Sequence, residues 1–120
     1  MLYRDLDEFL GDADSRRWKY ANTFFERFHT GSIGVKLYDT YILIYEDDGT
    51  LTLNMGDWKT VTTKKRINEI LDDEGWHLYV EKGVWMIWNW HTKEEYKFIN
   101  GMMLIPDSDG GYERATVVNP

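Results

Sequence analysis

Short runs of β-branched and aromatic residues, each closed by a turn signal, limit the folds open to this chain. Residues 34–46 and 51–54 flank the pair Asp48-Gly49, which is among the strongest local signals for a hairpin turn. The two runs therefore predict an antiparallel hairpin, with residues 51–54 returning along the preceding strand. Comparable runs occur at residues 23–29, 76–80, 84–90, 96–99 and 102–105.

The tryptophan-rich run at residues 84–90 is apolar on both faces of a strand. It faces residues 76–80 across a short loop with Gly83, where glycine can adopt positive φ, so a second hairpin is expected. A strand without a polar face is either covered on both sides or partly exposed at a binding surface. For the tryptophans as a group, we favour the core, because indole rings usually pack inside.

One helix interrupts the strands at about residues 62–72. Ile67, Ile70 and Leu71 form its apolar stripe, and Gly75 provides a stop signal. Strands on both sides of a single helix do not follow a βαβ pattern. The fold class predicted from the sequence is therefore α+β, an antiparallel β-sheet of several strands with one packed helix and a short N-terminal helix.

The two ends of the chain carry weaker signals. Residues 1–20 predict a short amphipathic helix with Leu6, Phe9 and Leu10 at helical spacing and Gly11 as its stop, followed by a linker. Residues 21–106 form the predicted α+β core domain. Residues 107–120 begin with an Asp- and Gly-rich stretch, and we expect them to form a flexible C-terminal tail.

The start of the central helix is the candidate ligand site. Thr62 or Thr63 can cap the helix, which would place three cations in its first turn, at the positive end of the helix dipole. A phosphate or carboxylate ligand would compensate them, while the alternative is that they are simply solvated at a cost of about 0.3–1 kcal/mol each. An aromatic side chain beside this turn adds a stacking face. The candidate ligand-binding residues are Trp58, Thr60, Thr62, Thr63, Lys64, Lys65 and Arg66.

Composition narrows the classes of function. The absence of cysteine rules out disulfides, thiolate metal sites and cysteine nucleophiles, and a formal net charge of -7 argues against general affinity for nucleic acid. His29, His77 and His91 lack the spacing of zinc ligands, and no phosphate-binding loop or nucleophile elbow is present. No apolar run is long enough to span a bilayer, and the first residues are acidic. We expect a non-enzymatic, intracellular protein without a cofactor or a membrane partner.

Residues 58–68 carry a recognisable motif, in which Trp58 and one further residue precede Thr-x-Thr-Thr-Lys-x-Arg-Ile-Asn. This segment resembles a family of small proteins of unknown function encoded by tailed phages and prophages. The resemblance implies a phage origin, the cytoplasm of an infected bacterium and no activity. The sequence departs from the family pattern at Tyr38, where histidine is frequent, and at Asp57, where glycine is common. Further matches are Asn22-Thr23, Leu37, Asp39-Thr40, Ile42, Asp48-Gly49, Leu53-Asn54, residues 82–85, residues 96–98 and Gly101-Met102.

Two functions follow from these observations. In the first, the helix start binds a phosphate-bearing ligand, either a nucleotide or a nucleic acid. In the second, acidic clusters imitate a phosphate backbone and inhibit a basic host protein that binds nucleic acid or acts in defence. Each of these clusters coincides with a predicted turn, where charge usually serves only solvation. The clusters are Glu46-Asp47-Asp48, Asp72-Asp73-Glu74 and Glu94-Glu95.

Overall fold

The structure is a computed structural model that describes residues 1–57 and 60–120. Within these residues, two α-helices and ten strands confirm the α+β class, and the strand pairs of both sheets are antiparallel. The elements are α1 (Tyr3–Leu10), β1 (Ser15–Arg17), β2 (Thr23–Arg27), β3 (Ile33–Leu37), β4 (Thr40–Tyr45), β5 (Leu51–Leu53), α2 (Val61–Leu71), β6 (Trp76–Glu81), β7 (Val84–Asn89), β8 (Glu95–Lys97), β9 (Met102–Ile105) and β10 (Thr116–Val118). A 3-10 turn at Asp72–Glu74 extends α2.

Seven strands form one antiparallel sheet in the order β1-β2-β3-β4-β5-β9-β10. The hairpin predicted around Asp48-Gly49 is confirmed, since Leu43 pairs with Leu53 and Tyr45 with Leu51. All four of these paired side chains are buried. Gly49 adopts a φ of 93°, which explains why glycine closes this turn.

The run at residues 34–46 is two strands and not the single stretch that its apolar pattern indicated. Leu37 of β3 pairs directly with Thr40 of β4, so Tyr38 and Asp39 alone form the turn. Tyr38 adopts a φ of 53°, a conformation normally reserved for glycine, asparagine or aspartate. The sequence did not predict this turn, because its first residue is a tyrosine and not the glycine, asparagine or aspartate that usually marks such a turn.

A second sheet has three strands in the order β6-β7-β8. Its first hairpin was predicted correctly, with a two-residue turn in which Lys82 and Gly83 both have positive φ. Helix α2 lies along β6, the edge strand of this sheet. The Asn68 side chain donates to the Leu78 carbonyl at 2.8 Å and accepts from the Leu78 amide at 2.7 Å, fixing the helix to β6.

The tryptophans do not share one environment. Trp18 and Trp76 are buried as expected, but Trp90 is 52% exposed, which corrects the expectation of a common core. Alternation along β7 turns Ile87 and Asn89 inward. The ring centroid of Trp90 lies 4.8 Å from that of Trp88, and the Lys93 ammonium group lies within 6 Å of both rings. These distances are within the range of cation–π interactions, which are favourable at exposed aromatic side chains.

Both ends of the chain join the main sheet. Leu6 and Leu10 of α1 are buried, β1 pairs with β2, and β10 pairs with β9. Tyr112 is completely buried within the segment predicted to be a tail. Its carbonyl oxygen accepts the Trp76 indole N–H at 2.6 Å. Among residues 1–57 and 60–120, no helix has the length and apolar character needed to cross a membrane.

Candidate ligand-binding groove

Helix α2 begins two to three residues earlier than the proposed caps required. Thr60, not Thr62 or Thr63, is the N-cap, because its hydroxyl oxygen accepts the Thr63 amide at 3.2 Å. The Thr60 and Thr63 hydroxyls also lie 3.0 Å apart. Several threonines in succession can each serve as a cap, and Thr60 is the one with an extended backbone. Lys64 is therefore the fourth helical residue, so the three cations lie beyond the first turn.

The three cations of α2 do not converge. Lys64 lies toward the second sheet, with its ammonium group 6.0 Å from the Trp85 ring, and Lys65 is exposed. Arg66 is only 5% exposed, and its guanidinium lies 3.6 Å from the ring centroid of Tyr20. Successive helical residues are rotated by about 100°, so three adjacent side chains cannot meet on one face. The three cations therefore do not surround one point, and ligand binding by Lys64, Lys65 and Arg66 stays a prediction.

Arg66 serves a structural network instead. It donates to Glu69 at 2.8 Å and to the Asn22 side-chain oxygen at 3.4 Å. The Tyr20 hydroxyl donates to the other Glu69 oxygen at 2.7 Å, and this hydrogen bond raises the pKa of Tyr20 above its ordinary value. The Arg66 charge is thus neutralised by Glu69. Its role is to position Tyr20 and Asn22.

Two cavities meet at the β3–β4 turn, and together we call them the binding groove. The first lies on the surface beside the start of β2, and the second lies between the turn and the start of α2. The first measures about 600 Å³ and the second about 390 Å³, and both are lined by Tyr38 and Asp39. Such volumes suit small ligands. The first cavity is also lined by Tyr20, Ala21, Asn22 and Phe24. The second is also lined by Leu37, Thr40, Ile42, Met55, Thr60, Thr62 and Thr63.

Tyr38 occupies the centre of this groove in an unfavourable conformation. A left-handed backbone costs a non-glycine residue about 1–2 kcal/mol. The Tyr38 side chain is 67% exposed, so packing does not offset this cost. The turn is nevertheless fixed, because the Tyr38 amide donates to the Asn22 carbonyl at 3.0 Å. Strain of this kind is common at functional sites.

The groove contains part of the candidate site predicted from the sequence. Thr60, Thr62 and Thr63 line its second cavity, whereas Lys64, Lys65 and Arg66 do not line either cavity. Trp58 lies outside the described residues. Sequence reasoning missed the aromatic wall, although Asn22 and Asp39 were among the family-like positions. The side chains missed as site residues are Tyr20, Asn22, Phe24, Tyr38 and Asp39.

The acidic clusters are largely engaged within the protein. The Glu94 and Glu95 carboxylates accept the hydroxyl groups of Tyr96 and Tyr79. Glu74 lies 3.3 Å from the amino group of Met1. In the described part of the chain, no group of three His, Asp or Glu side chains could hold a metal ion. Inhibition of a basic host protein stays a prediction.

Substitution of Arg66 by glutamate tests its structural role. We expect Arg66→Glu to lower the free energy of unfolding by about 2 kcal/mol, less than for a fully buried pair because Glu69 reaches solvent. The new carboxylate would repel Glu69 and release Tyr20. Lys65→Glu, an equal charge change at the exposed neighbour, should change stability by under about 0.5 kcal/mol. Urea denaturation of both variants measures the difference, and equal stabilities would contradict the network.

The antiparallel sheet, the packed helix and the adjoining groove define an α+β protein with a ligand-sized surface site. Residues 11–105 match the family described as Kyanoviridae Gp96 protein. This match covers well over half of the chain, so the chain belongs to that family. Membership makes it a phage protein and assigns it no activity. No curated protein and no solved structure matches the chain.

Proposed function

We propose that this phage protein binds a nucleotide in the groove, in the cytoplasm of the infected cell. The base stacks on the aromatic wall of the first cavity, and the phosphate lies at the start of α2 in the second. The observation that supports this arrangement is that the two cavities share Tyr38 and Asp39 in their walls. A nucleotide has the same division into a flat apolar end and an anionic end.

The first cavity offers the surface that a base requires. Tyr20, Phe24 and Tyr38 are all exposed enough to contact a ligand, and all three line this cavity. Stacking of a base on an aromatic side chain contributes about 1–3 kcal/mol and tolerates any base, because every base has a π face. The Arg66 network holds Tyr20 in place before a ligand arrives, which reduces the entropy lost on binding.

The second cavity offers hydrogen bonds to a phosphate. The first amides of a helix have no intrahelical acceptor, and the helix dipole favours an anion there. The Thr60 hydroxyl already accepts the Thr63 amide, so the amides that a phosphate would take are those of Val61 and Thr62. Thr60 and Thr62 add hydroxyl groups beside these amides. Asp39 lines the same cavity, and the protein carries a net charge of -7, so each further phosphate group is disfavoured. The geometry therefore favours a monophosphate.

Calorimetric titration with nucleoside monophosphates tests the proposal. We expect Thr62→Asp to weaken monophosphate binding by about tenfold, equal to ~1.4 kcal/mol, while nucleoside binding stays unchanged. The new carboxylate repels phosphate but suits the first helical turn, so the fold should be retained. Thr92→Asp is the matched control, because it adds the same charge at an exposed turn outside the groove.

The outcomes separate the alternatives. Weaker monophosphate binding by Thr62→Asp, with Thr92→Asp like wild type, supports phosphate at the helix start. Equal loss in both variants contradicts that placement. If wild type binds no monophosphate at millimolar concentration, the proposed function is wrong. Inhibition of a basic host protein through the acidic turns would then become the leading hypothesis.

A further inference from the structure

We infer that the groove selects guanine, with Asp39 recognising the edge of the base and Tyr38 stacking on its face. This inference rests on the proposed nucleotide binding and adds the identity of the base. Asp39 is exposed at the junction of the two cavities. Among residues 1–57 and 60–120, its carboxylate forms no hydrogen bond or ion pair.

The backbone places the Asp39 carboxylate within narrow limits. A two-residue turn joins β3 to β4, with Leu37 and Thr40 paired on either side. The Tyr38 amide donates to the carbonyl of Asn22, the residue before β2, so the turn is held by β3, β4 and the start of β2. Only the two side-chain torsions of Asp39 remain free, which makes it a short and defined acceptor.

A carboxylate accepts hydrogen bonds and cannot donate them. Guanine presents two adjacent donors, N1–H and the 2-amino group, and can bind a carboxylate through both. Adenine and cytosine each pair one donor with an adjacent ring acceptor, and uracil flanks its one donor with two carbonyl groups. Charge-assisted bidentate hydrogen bonds are stronger and more specific than single neutral ones. Asp39 therefore discriminates in favour of guanine.

Asn22 supplies a hydrogen-bond donor for the guanine O6 atom. Its side-chain oxygen accepts from the Thr23 hydroxyl at 2.9 Å and from Arg66 at 3.4 Å. These two donors fix the amide orientation and leave the Asn22 amino group to donate. Asn22 and Asp39 line the same cavity. A donor beside a double acceptor complements the O6, N1–H and 2-amino sequence along the guanine edge.

The test compares GMP, IMP and AMP by calorimetry with the full chain. Wild type should bind GMP at least tenfold more tightly than AMP, with IMP between them because it lacks the 2-amino group. Asp39→Asn should lose the preference, since its amide presents a donor to the same edge. Asp47→Asn, an equal charge change at a turn outside the groove, should retain the preference. Tyr38→Gly should weaken all three nucleotides by about tenfold.

A free nucleotide and the end of a single strand share this chemistry, and short oligonucleotides distinguish them. A strand ending in dG that binds more than tenfold tighter than GMP identifies a nucleic-acid ligand, and equal affinities identify the free nucleotide. Equal binding of GMP and AMP overturns the guanine inference but leaves the proposed function intact. An unchanged preference in Asp39→Asn overturns the role of Asp39. Absence of binding by every nucleotide overturns both proposals.

Discussion

Replacement of Tyr112 by alanine is expected to lower the free energy of unfolding by about 3–5 kcal/mol, as for other large aromatics removed from a core. Tyr112 is completely buried, its hydroxyl donates to the Gly49 carbonyl at 2.5 Å, and its ring lies 6.4 Å from that of Tyr45. The backbone carbonyl of Tyr112 also accepts the indole N–H of Trp76. One residue thus connects the C-terminal segment to the β4–β5 turn and to the second sheet.

Tyr112→Phe is the matched control for this experiment. It keeps the ring and removes only the hydroxyl, leaving the Gly49 carbonyl without its donor, so we expect a loss of about 1–3 kcal/mol. Urea denaturation followed by tryptophan fluorescence measures both variants. A loss below about 1 kcal/mol for Tyr112→Ala would show that residues 107–120 behave as the flexible tail suggested by their composition.

Replacement of Ile67 by alanine is expected to lower the free energy of unfolding by about 2–5 kcal/mol. Ile67 is completely buried, and it lies on α2 next to Asn68, which is bonded to β6. Removing the side chain therefore leaves a cavity in the core beneath the helix. Val61→Ala provides the control, because Val61 belongs to the same helix but is 61% exposed. Val61→Ala should lower the free energy of unfolding by less than about 0.5 kcal/mol. Equal losses for the two variants would contradict the packing of α2.

Turn residues and apolar spacing in the sequence predicted the hairpins and the helix that depend on neighbouring residues. Asp48-Gly49 and Gly83 marked two hairpins, and the apolar stripe of α2 marked a helix within one residue of its observed bounds. Strands β1 and β10 were not predicted, because each has only three residues and lies at an edge of the sheet. Their pairing depends on partners distant in sequence. Such contacts leave no periodic pattern in the segment itself.

The candidate site was only partly predictable for a related reason. The hydroxyl groups at the start of α2 follow one another in sequence, and Thr60, Thr62 and Thr63 do line the groove. The aromatic wall comes from β2 and from the β3–β4 turn, which fold against the helix from elsewhere in the chain. The charge of Arg66 suggested a ligand, and the sequence did not indicate that Glu69, three residues later, forms an ion pair with it.

Nucleotide binding in the groove is the central claim, and amide chemical shifts during a GMP titration test it most directly. We expect the largest shifts at Tyr38 and Asp39 of the β3–β4 turn and at Thr62 of α2, which line the two cavities of the groove. Amides of β8 and β10, which do not line the groove, should remain unchanged and serve as the internal control. Shifts confined to other surfaces, or no shifts at millimolar GMP, would contradict the claim.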